Sequence, residues 1–356
     1  MHSNHPPGSE IVALSDFAGA RSARAPQERL EEVRRRAEKF REKMLREANV
    51  VYYRSISLIA APYPVKYGLR DAAKVFTPYM NICNRLFIVQ YQTPIGIKTL
   101  LFSPSDIEGN GKTPFFSNLA NTRLRPLLEK ILVPFRRTVA EALAMSGINP
   151  AQVDYISYDH LHTQDVRKWL GTKGRKGYFP NAKLLVMRQE WESAKALLPM
   201  QAMWYCPDGI ADVDPQKVIL LDTDVKLGEG IALIQSPGHT EGNHSLVAKT
   251  PDGLLVTSEN GVCADSYAPL QSKISGVKEY ARKYGVEVIM NANTLENSND
   301  QYISMVMEKT IAGPAKRNPD FCNFVPSSEL TPNIFFPGLK ATFSVGELEF
   351  GTPVVA

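Results

Sequence analysis

Cysteine is scarce in this chain, and the few that occur are far apart. Four cysteines in 356 residues, with no CxxC pair, do not have the density of a disulfide framework. Their number and spacing instead favour a reducing compartment. The four residues are Cys83, Cys206, Cys263 and Cys322.

Long apolar runs are also absent. No stretch reaches the roughly 18 consecutive apolar residues that a membrane-spanning helix needs. The sequence begins MHSNHPPGSE, which lacks the apolar core of a signal peptide. These two absences predict a cytoplasmic protein with no membrane partner.

Strong charge of either sign is missing as well. The net charge is +4, and 22% of the residues are charged. So weak an excess of basic residues gives no reason to expect a nucleic-acid partner. The chain also has no Walker loop, no GxGxxG between a strand and a helix, and no GxSxG turn. At 44% hydrophobic residues, it has enough apolar side chains for a sizeable globular core.

The composition changes along the chain and suggests four segments. Residues 1–25 are rich in Pro, Ser, Gly and Ala and are predicted to be disordered. Residues 26–83 are predicted to form a helical N-terminal extension, residues 84–312 the main domain, and residues 313–356 a tail that packs on that domain.

The N-terminal extension opens with an amphipathic helix. Apolar residues recur at spacings of three and four, while Glu, Arg and Lys occupy the opposite face. We expect this helix to pack on the body of the protein or to contact a second copy in a homo-oligomer. The apolar positions are Leu30, Val33, Ala37, Phe40, Met44 and Leu45.

Short apolar strands alternate with helices in the main domain. RLFIVQYQTPIGIKTLLFSPS predicts two strands joined by a TPIG turn. Further strands that end in polar loops are predicted in VDYISYDH, AKLLVMRQE, KVILLD, IALIQSPGH, GLLVTSENG and VEVIMNANT. This alternation predicts an α/β architecture in which helices cover the sheets.

Histidine is rare, and its distribution is informative. The chain has six histidines, and the four outside the N-terminal segment lie in two short stretches that each follow a predicted strand. His160 and His162 are separated by one residue, so on an extended segment they face the same side. His239 would complete a set of three imidazoles, which bind zinc or iron and leave positions open for water or substrate. For His244 a structural or supporting role is favoured.

Together these motifs resemble the metallo-β-lactamase superfamily. In that family an H-x-H-x-D-H motif follows a strand, and a P-G-H-T-x-G loop, a strand ending in a bridging Asp and a strand ending in His come later. VDYISYDHLHTQD, SPGHTEGNHS and GLLVTSENG match the first three elements in order. The resemblance implies an αββα sandwich with a metal site at one edge of the sheets. It also implies that His160, His162 and His239 form the first metal position, with Glu259 in place of the bridging Asp.

The sequence departs from the family pattern at the second metal position. Gln164 stands where the family has Asp, and Asp165 stands where it has His. Asn293, or Asn291 in a shifted register, stands near the last histidine position. Neutral amide oxygens bind transition metals poorly. We therefore expect an intact first position and an altered second one, with Asp165 and Glu259 as carboxylate ligands and catalytic bases.

These features predict a metal-dependent hydrolase that uses a metal-activated water on a small-molecule ester, lactone, amide or related substrate. One zinc ion is expected, with iron or manganese as alternatives. Two other functions stay open: an iron-dependent oxidoreductase or oxygenase on the same fold, and a non-catalytic member that binds a ligand. Met203, Trp204 and Tyr205 are expected to form an apolar wall over the site or simply to pack in the core.

Overall fold

The computed structural model describes residues 11–120, 137–292 and 297–355. Asn293 therefore lies outside the described residues, as do residues 1–10 of the segment predicted to be disordered. The helices are α1 (Pro26–Leu45), α2 (Val65–Gly68), α3 (Ile107–Asn110), α4 (Pro114–Ala120), α5 (Val139–Met145), α6 (Arg167–Leu170), α7 (Arg188–Lys195), α8 (Ala264–Tyr267), α9 (Val277–Tyr284) and α10 (Ser298–Ala312).

The strands form two large sheets and two short hairpins across the described part of the chain. They are β1 (Val12–Ala13), β2 (Tyr52–Pro64), β3 (Tyr79–Thr93), β4 (Gly96–Phe102), β5 (Tyr155–Ser157), β6 (Gly171–Thr172), β7 (Arg175–Lys176), β8 (Lys183–Met187), β9 (Val218–Leu221), β10 (Val225–Gly228), β11 (Ile231–Gln235), β12 (His244–Thr250), β13 (Gly253–Thr257), β14 (Pro314–Ala315), β15 (Asn318–Cys322), β16 (Ser328–Thr331) and β17 (Glu349–Gly351).

The larger sheet has the order β17-β2-β3-β4-β5-β8-β9, with β16 also paired to β3. Strands β4, β5, β8 and β9 run parallel, while β3 and β4 form the antiparallel hairpin predicted from the TPIG turn, with Thr93 opposite Gly96. The smaller sheet has the order β1-β10-β11-β12-β13 and is antiparallel throughout.

Three apolar cores show that the two sheets are stacked and flanked by helices. Side chains from both sheets, such as Phe87 and Leu233, meet in a core between them. A second core lies between the outer face of the larger sheet and its helices, and a third joins the smaller sheet to α1 and α10. This layering confirms the αββα sandwich, which results because each sheet must bury both of its apolar faces.

The N-terminal region differs from the sequence prediction in two respects. Within the segment predicted to be disordered, Ile11 is buried and β1 pairs with β10. In addition, the domain boundary expected at residue 84 falls inside β3, and β2 belongs to the larger sheet rather than to a helical extension. Strand β2 was missed because it is buried on both faces at many positions, so its apolar residues do not alternate with polar ones.

Helix α1 buries its apolar stripe within its own chain. Val33, Ala37 and Phe40 pack in the core shared with α10 and the smaller sheet. This fold therefore covers the apolar stripe, which is not available for a contact with a second copy. In the described part of the chain, no helix has both the length and the apolar character needed to cross a membrane.

The C-terminal tail extends the larger sheet, because β16 pairs with β3 and β17 with β2. By contrast, the prediction of a strand in residues 286–294 is wrong over residues 286–292, which do not pair with another strand. The backbone N–H groups there donate to loops instead: Ile289 to the Ser266 carbonyl at 2.7 Å and Asn291 to the Asn260 carbonyl at 2.8 Å.

Candidate metal centre

Three histidine side chains converge at one edge of the sandwich. His160 and His162 lie in the loop after β5, and His239 lies in the turn between β11 and β12. One ring nitrogen from each lies within 4.8 Å of the other two, and all three residues are buried. The ring centroids are 4.6 to 5.2 Å apart. The structure thus brings together the three histidines that the sequence singled out.

The His239 turn depends on two close backbone approaches. A Cβ atom on Gly238 would lie 2.2 Å from the Gln301 Cα, and one on Gly242 would lie 2.1 Å from the Glu190 nitrogen. Gly238 also has a φ of +137°, where side chains are strongly disfavoured. Glycine at these positions lets the turn press against α10 and α7 and direct His239 inward.

A backbone carbonyl orients the imidazole of His239. The Nδ1 atom lies 2.9 Å from the carbonyl oxygen of Asn291 and donates to it. This hydrogen bond selects the tautomer in which Nε2 carries the lone pair, as in metal-binding histidines. Burial, together with the nearby His160, lowers the pKa of His239 to about 3, so the ring is neutral at physiological pH.

His162 is the most isolated of the three imidazoles. Both of its ring nitrogens are buried and have no hydrogen-bond partner in the described structure. Burial, reinforced by His160 and His239, lowers its pKa well below the usual value. A buried polar atom without a partner costs free energy. A cation bound at the three lone pairs would remove that cost.

His160 is paired with the carboxylate that precedes it. Burial alone would lower the pKa of His160, but the charge and hydrogen bond of Asp159, helped by Glu259 and Glu190, raise it to about 9. The His160 Nδ1 lies 3.2 Å from the Asp159 Oδ1, while Ser327 donates to the Asp159 Oδ2 at 2.7 Å. Such a carboxylate fixes the ring and makes the other nitrogen a better ligand.

Glu259 is the carboxylate nearest to this pair. Its carboxylate, the Asp159 carboxylate and a His160 ring nitrogen offer ligand atoms within 4.8 Å of one another. Ser328 donates to the Glu259 Oε2 at 2.7 Å. Burial raises the pKa of Glu259 to about 7, although the charge of His160 opposes this effect. Three imidazoles with an adjacent carboxylate fit a zinc, iron or manganese ion.

Asp165 is placed differently from the expectation. It belongs to neither group of converging ligand atoms among the described residues. Arg167 holds both of its oxygens, with its Nε 2.8 Å from Oδ1 and its Nη2 2.6 Å from Oδ2. In this structure Asp165 is paired with Arg167, and its expected roles as ligand and base stay predictions. The neighbouring Gln164 has a buried Oε1 without a hydrogen-bond partner.

Asn291 is engaged by its neighbours rather than open to a ligand. Tyr63 donates its hydroxyl to the Asn291 Oδ1 at 2.7 Å. The Asn291 amide donates to the backbone carbonyl of Glu259 at 3.1 Å, and its own carbonyl accepts from His239. The residue therefore joins the His239 turn to the Glu259 loop.

His244 supports the site from between the sheets. Its Nε2 lies 3.0 Å from the Ser157 hydroxyl, and its ring packs edge-on against Phe102 at 5.8 Å. Its backbone N–H donates to the Asp159 carbonyl at 2.9 Å. His244 thus ties β12 to the loop that carries His160.

Aromatic side chains cover the histidines. The Tyr205 ring lies 4.8 Å from that of His162, and Trp204 stacks on Phe115 at 4.6 Å. Trp204 and Phe115 also line a cleft of 580 Å³, together with Tyr67 and the half-exposed Met203. Sequence reasoning missed Phe115 and Tyr67 because neither lies near a motif.

The comparisons with known proteins give partial matches. No family model matches the chain. The N-acyl homoserine lactonase AttM of Azorhizobium caulinodans is 31% identical over 141 residues, which are 36% of this chain. The match spans about half the length of that relative, 49%.

Two solved structures match this chain at low identity and with TM-scores below 0.5. AidC, a dizinc quorum-quenching lactonase, is 12% identical with a TM-score of 0.47, over 86% of this chain and 96% of its own. The hydrolase AbOPH of the β-lactamase superfamily is 16% identical with a TM-score of 0.43, over 86% and 99%. In the order of its motifs and in the sandwich that displays them at one edge, this chain resembles the metallo-β-lactamase superfamily, and over about a third of its length it is similar to AttM.

Proposed function

We propose that this protein is a metal-dependent hydrolase of a small ester, lactone, amide or related substrate. The observation that carries the proposal is the convergence of three buried histidine nitrogens within 4.8 Å. His162 and His239 are held neutral by burial, which is the state that binds a metal. Zinc is the ion we favour, with iron or manganese as alternatives.

His160, His162 and His239 would hold the ion. When bound, it would supply Lewis acidity, which lowers the pKa of a water molecule and polarises a carbonyl oxygen. The protein contributes the orientation of each imidazole: Asp159 holds His160, and the Asn291 carbonyl holds His239. Burial of all three rings under Trp204 and Tyr205 keeps bulk water away from them.

Glu259 is the candidate general base. Its carboxylate lies at the edge of the histidine cluster, and its pKa of about 7 suits a group that must take up and release a proton near neutral pH. Asp165 is left out of this role because Arg167 neutralises it. The proposal thus assigns the proton transfer to one carboxylate.

We further propose that a single ion suffices. By resemblance, the residues at the family's second position are Gln164, Asp165 and Asn293, or Asn291 in a shifted register. Asp165 is bound to Arg167, and Asn291 is bound to Tyr63 and Glu259. Hydrogen bonds and an ion pair therefore take up groups that a second ion would need.

Lactones are the first substrates to test, because the curated relative is an N-acyl homoserine lactonase. The cleft lined by Trp204, Phe115 and Tyr67 would accept an apolar group next to the reacting carbonyl. Amides are less reactive than lactones and esters, so their hydrolysis would need more help from the site.

The test is hydrolysis by zinc-loaded and metal-free protein of acyl homoserine lactones of several chain lengths and of aryl esters. The proposal expects turnover with the loaded protein, loss of turnover on chelation and recovery on adding zinc. A His239→Ala variant should be inactive, with Gln164→Ala as the matched control. Tight iron binding with an oxygen-dependent change in the visible spectrum, and no hydrolysis, would instead support the oxidoreductase alternative.

A further inference from the structure

A buried carboxylate lies beneath both histidine loops. Glu190 is in the first turn of α7, directly after β8, and is fully buried. Its Oε1 accepts hydrogen bonds from the Leu161 backbone N–H at 2.7 Å and the Tyr205 hydroxyl at 3.0 Å. Its Oε2 accepts one from the Thr240 hydroxyl at 2.6 Å.

These three donors belong to the three segments that build the site. Leu161 lies between His160 and His162, so its N–H fixes the backbone that carries both rings. Thr240 follows His239 directly. Tyr205 packs its ring against His162 at 4.8 Å. One side chain therefore joins both metal-binding loops and the aromatic cover.

The backbone at Glu190 supports the same arrangement independently. A Cβ atom on Gly242 would lie 2.1 Å from the Glu190 nitrogen and 2.4 Å from its Cα. The His239 turn consequently rests on the start of α7 without intervening side chains. Glu190 therefore contacts the His239 turn through its backbone and the His160–His162 loop through its side chain, which fixes the two relative to each other.

The carboxylate oxygens of Glu190 are satisfied by hydrogen bonds and not by an ion pair. No lysine or arginine within the described ranges forms an ion pair with it. A buried carboxylate is costly unless several donors satisfy it, and here three charge-assisted hydrogen bonds do so. Its remaining negative charge would attract a cation bound at the adjacent histidines.

We propose that Glu190 is a positioning residue that fixes the spacing of the His160–His162 loop and the His239 turn and so sets the metal affinity of the site. This inference rests on the proposed metal-binding function. Outer groups that orient metal ligands are typically worth about 10-fold to 100-fold in affinity. Glu190 contacts none of the three imidazole nitrogens through a hydrogen bond, so it acts through the loops.

The test measures the zinc Kd by competition with a chromophoric chelator and, separately, the thermal unfolding of the metal-free protein. Asp265 provides the matched control. It is likewise fully buried and accepts hydrogen bonds from Ser272 at 2.6 Å and from the Thr342 backbone at 2.8 Å, but it touches neither histidine loop. Glu190→Ala, Thr240→Val and Asp265→Ala are compared with the wild type.

The inference expects Glu190→Ala to raise the zinc Kd by about 10-fold to 100-fold, while Asp265→Ala destabilises the metal-free protein but leaves the Kd at the wild-type value. Thr240→Val removes one donor and should raise the Kd by a smaller factor. It also keeps the test decisive if Glu190→Ala does not fold. An unchanged Kd in both Glu190→Ala and Thr240→Val, or an equal rise in Asp265→Ala, overturns the inference. If the wild type binds no zinc, the proposed function fails instead.

Discussion

The Nδ1 atom of His239 lies 2.9 Å from the backbone carbonyl of Asn291. Asn291 is one of two asparagines near the position where the superfamily has its last histidine ligand. In this chain it orients a ligand through its backbone, and its side chain bonds to Tyr63 and to the Glu259 carbonyl. Asn291 thus holds the His239 ring in place and joins it to the Glu259 loop.

Removal of a histidine ligand should abolish metal binding, whereas removal of Gln164 should not. His160→Ala and His239→Ala each leave two imidazoles, which are too few for a tight site. Gln164→Ala removes a neutral amide and should have a smaller effect on the metal content. Elemental analysis of the purified variants measures the difference. Full metal content in either histidine variant, or an equal loss in Gln164→Ala, would contradict the assignment.

Replacement of Glu259 should separate chemistry from binding. Glu259→Gln keeps the size of the side chain but removes the base, so kcat should fall by about 100-fold to 10,000-fold. The three histidines remain, so most of the zinc should stay bound. Asp165→Asn is the comparison, since Arg167 already neutralises that carboxylate. The kcat of each variant is measured as the rate of lactone hydrolysis at saturating substrate. A larger loss of kcat in Asp165→Asn than in Glu259→Gln would make Asp165 the base instead of Glu259.

Loss of the Tyr63 hydroxyl should destabilise the fold. Tyr63→Phe leaves the buried Asn291 Oδ1 without this donor, and such an unsatisfied atom costs about 1–3 kcal/mol. Urea unfolding of the metal-free protein gives the change in the free energy of unfolding. Tyr284, which is 57% exposed, supplies the control, because Tyr284→Phe should change stability little. Equal unfolding free energies for Tyr63→Phe and wild type would rule out this role for the hydroxyl.

Stability should fall as the pH rises, in part because of Asp224. Burial raises the pKa of Asp224 to about 7, even though the Gln235 N–H and the charge of Arg21 favour the ionised form. Between roughly pH 4, the pKa of an unfolded Asp, and pH 7, the unfolded state loses the proton while the folded state keeps it. The stabilising contribution is complete below that range and is lost through pH 7.

Asp224→Asn removes this dependence. The unfolding free energy of the variant, relative to wild type, should therefore increase when the pH is raised from 5 to 7.5. Chelated protein is used at both values so that metal binding does not contribute. A difference between variant and wild type that is the same at both pH values would show that Asp224 ionises normally in the folded protein.

The sequence was most informative where chemistry requires particular residues at short spacing. The HLH stretch and the PGHT turn predicted three histidines that the fold brings within 4.8 Å, because strand ends of a layered α/β protein meet at one edge. The alternation of strands and helices predicted an α/β architecture with covered sheets, and the resemblance to the metallo-β-lactamase superfamily implied the sandwich.

Other features depended on contacts that the residue pattern does not specify. The pairing of Asp165 with Arg167 could not be distinguished from metal binding, since both need an acidic side chain. Glu190 is the last residue of AKLLVMRQE, which predicted a strand ending in a polar loop, whereas the structure places it in the first turn of α7. The positioning role that we propose for Glu190 rests on the hydrogen bonds from Leu161, Tyr205 and Thr240, which the sequence does not reveal.

The most direct test of the account is to measure how many zinc ions His160, His162 and His239 hold per chain. Wild-type protein is saturated with zinc, freed of excess metal by gel filtration and analysed for zinc per chain, with His162→Ala treated in parallel. The account predicts one retained zinc ion in the wild type and none in the variant. No retained zinc in the wild type, or two ions per chain, would contradict it.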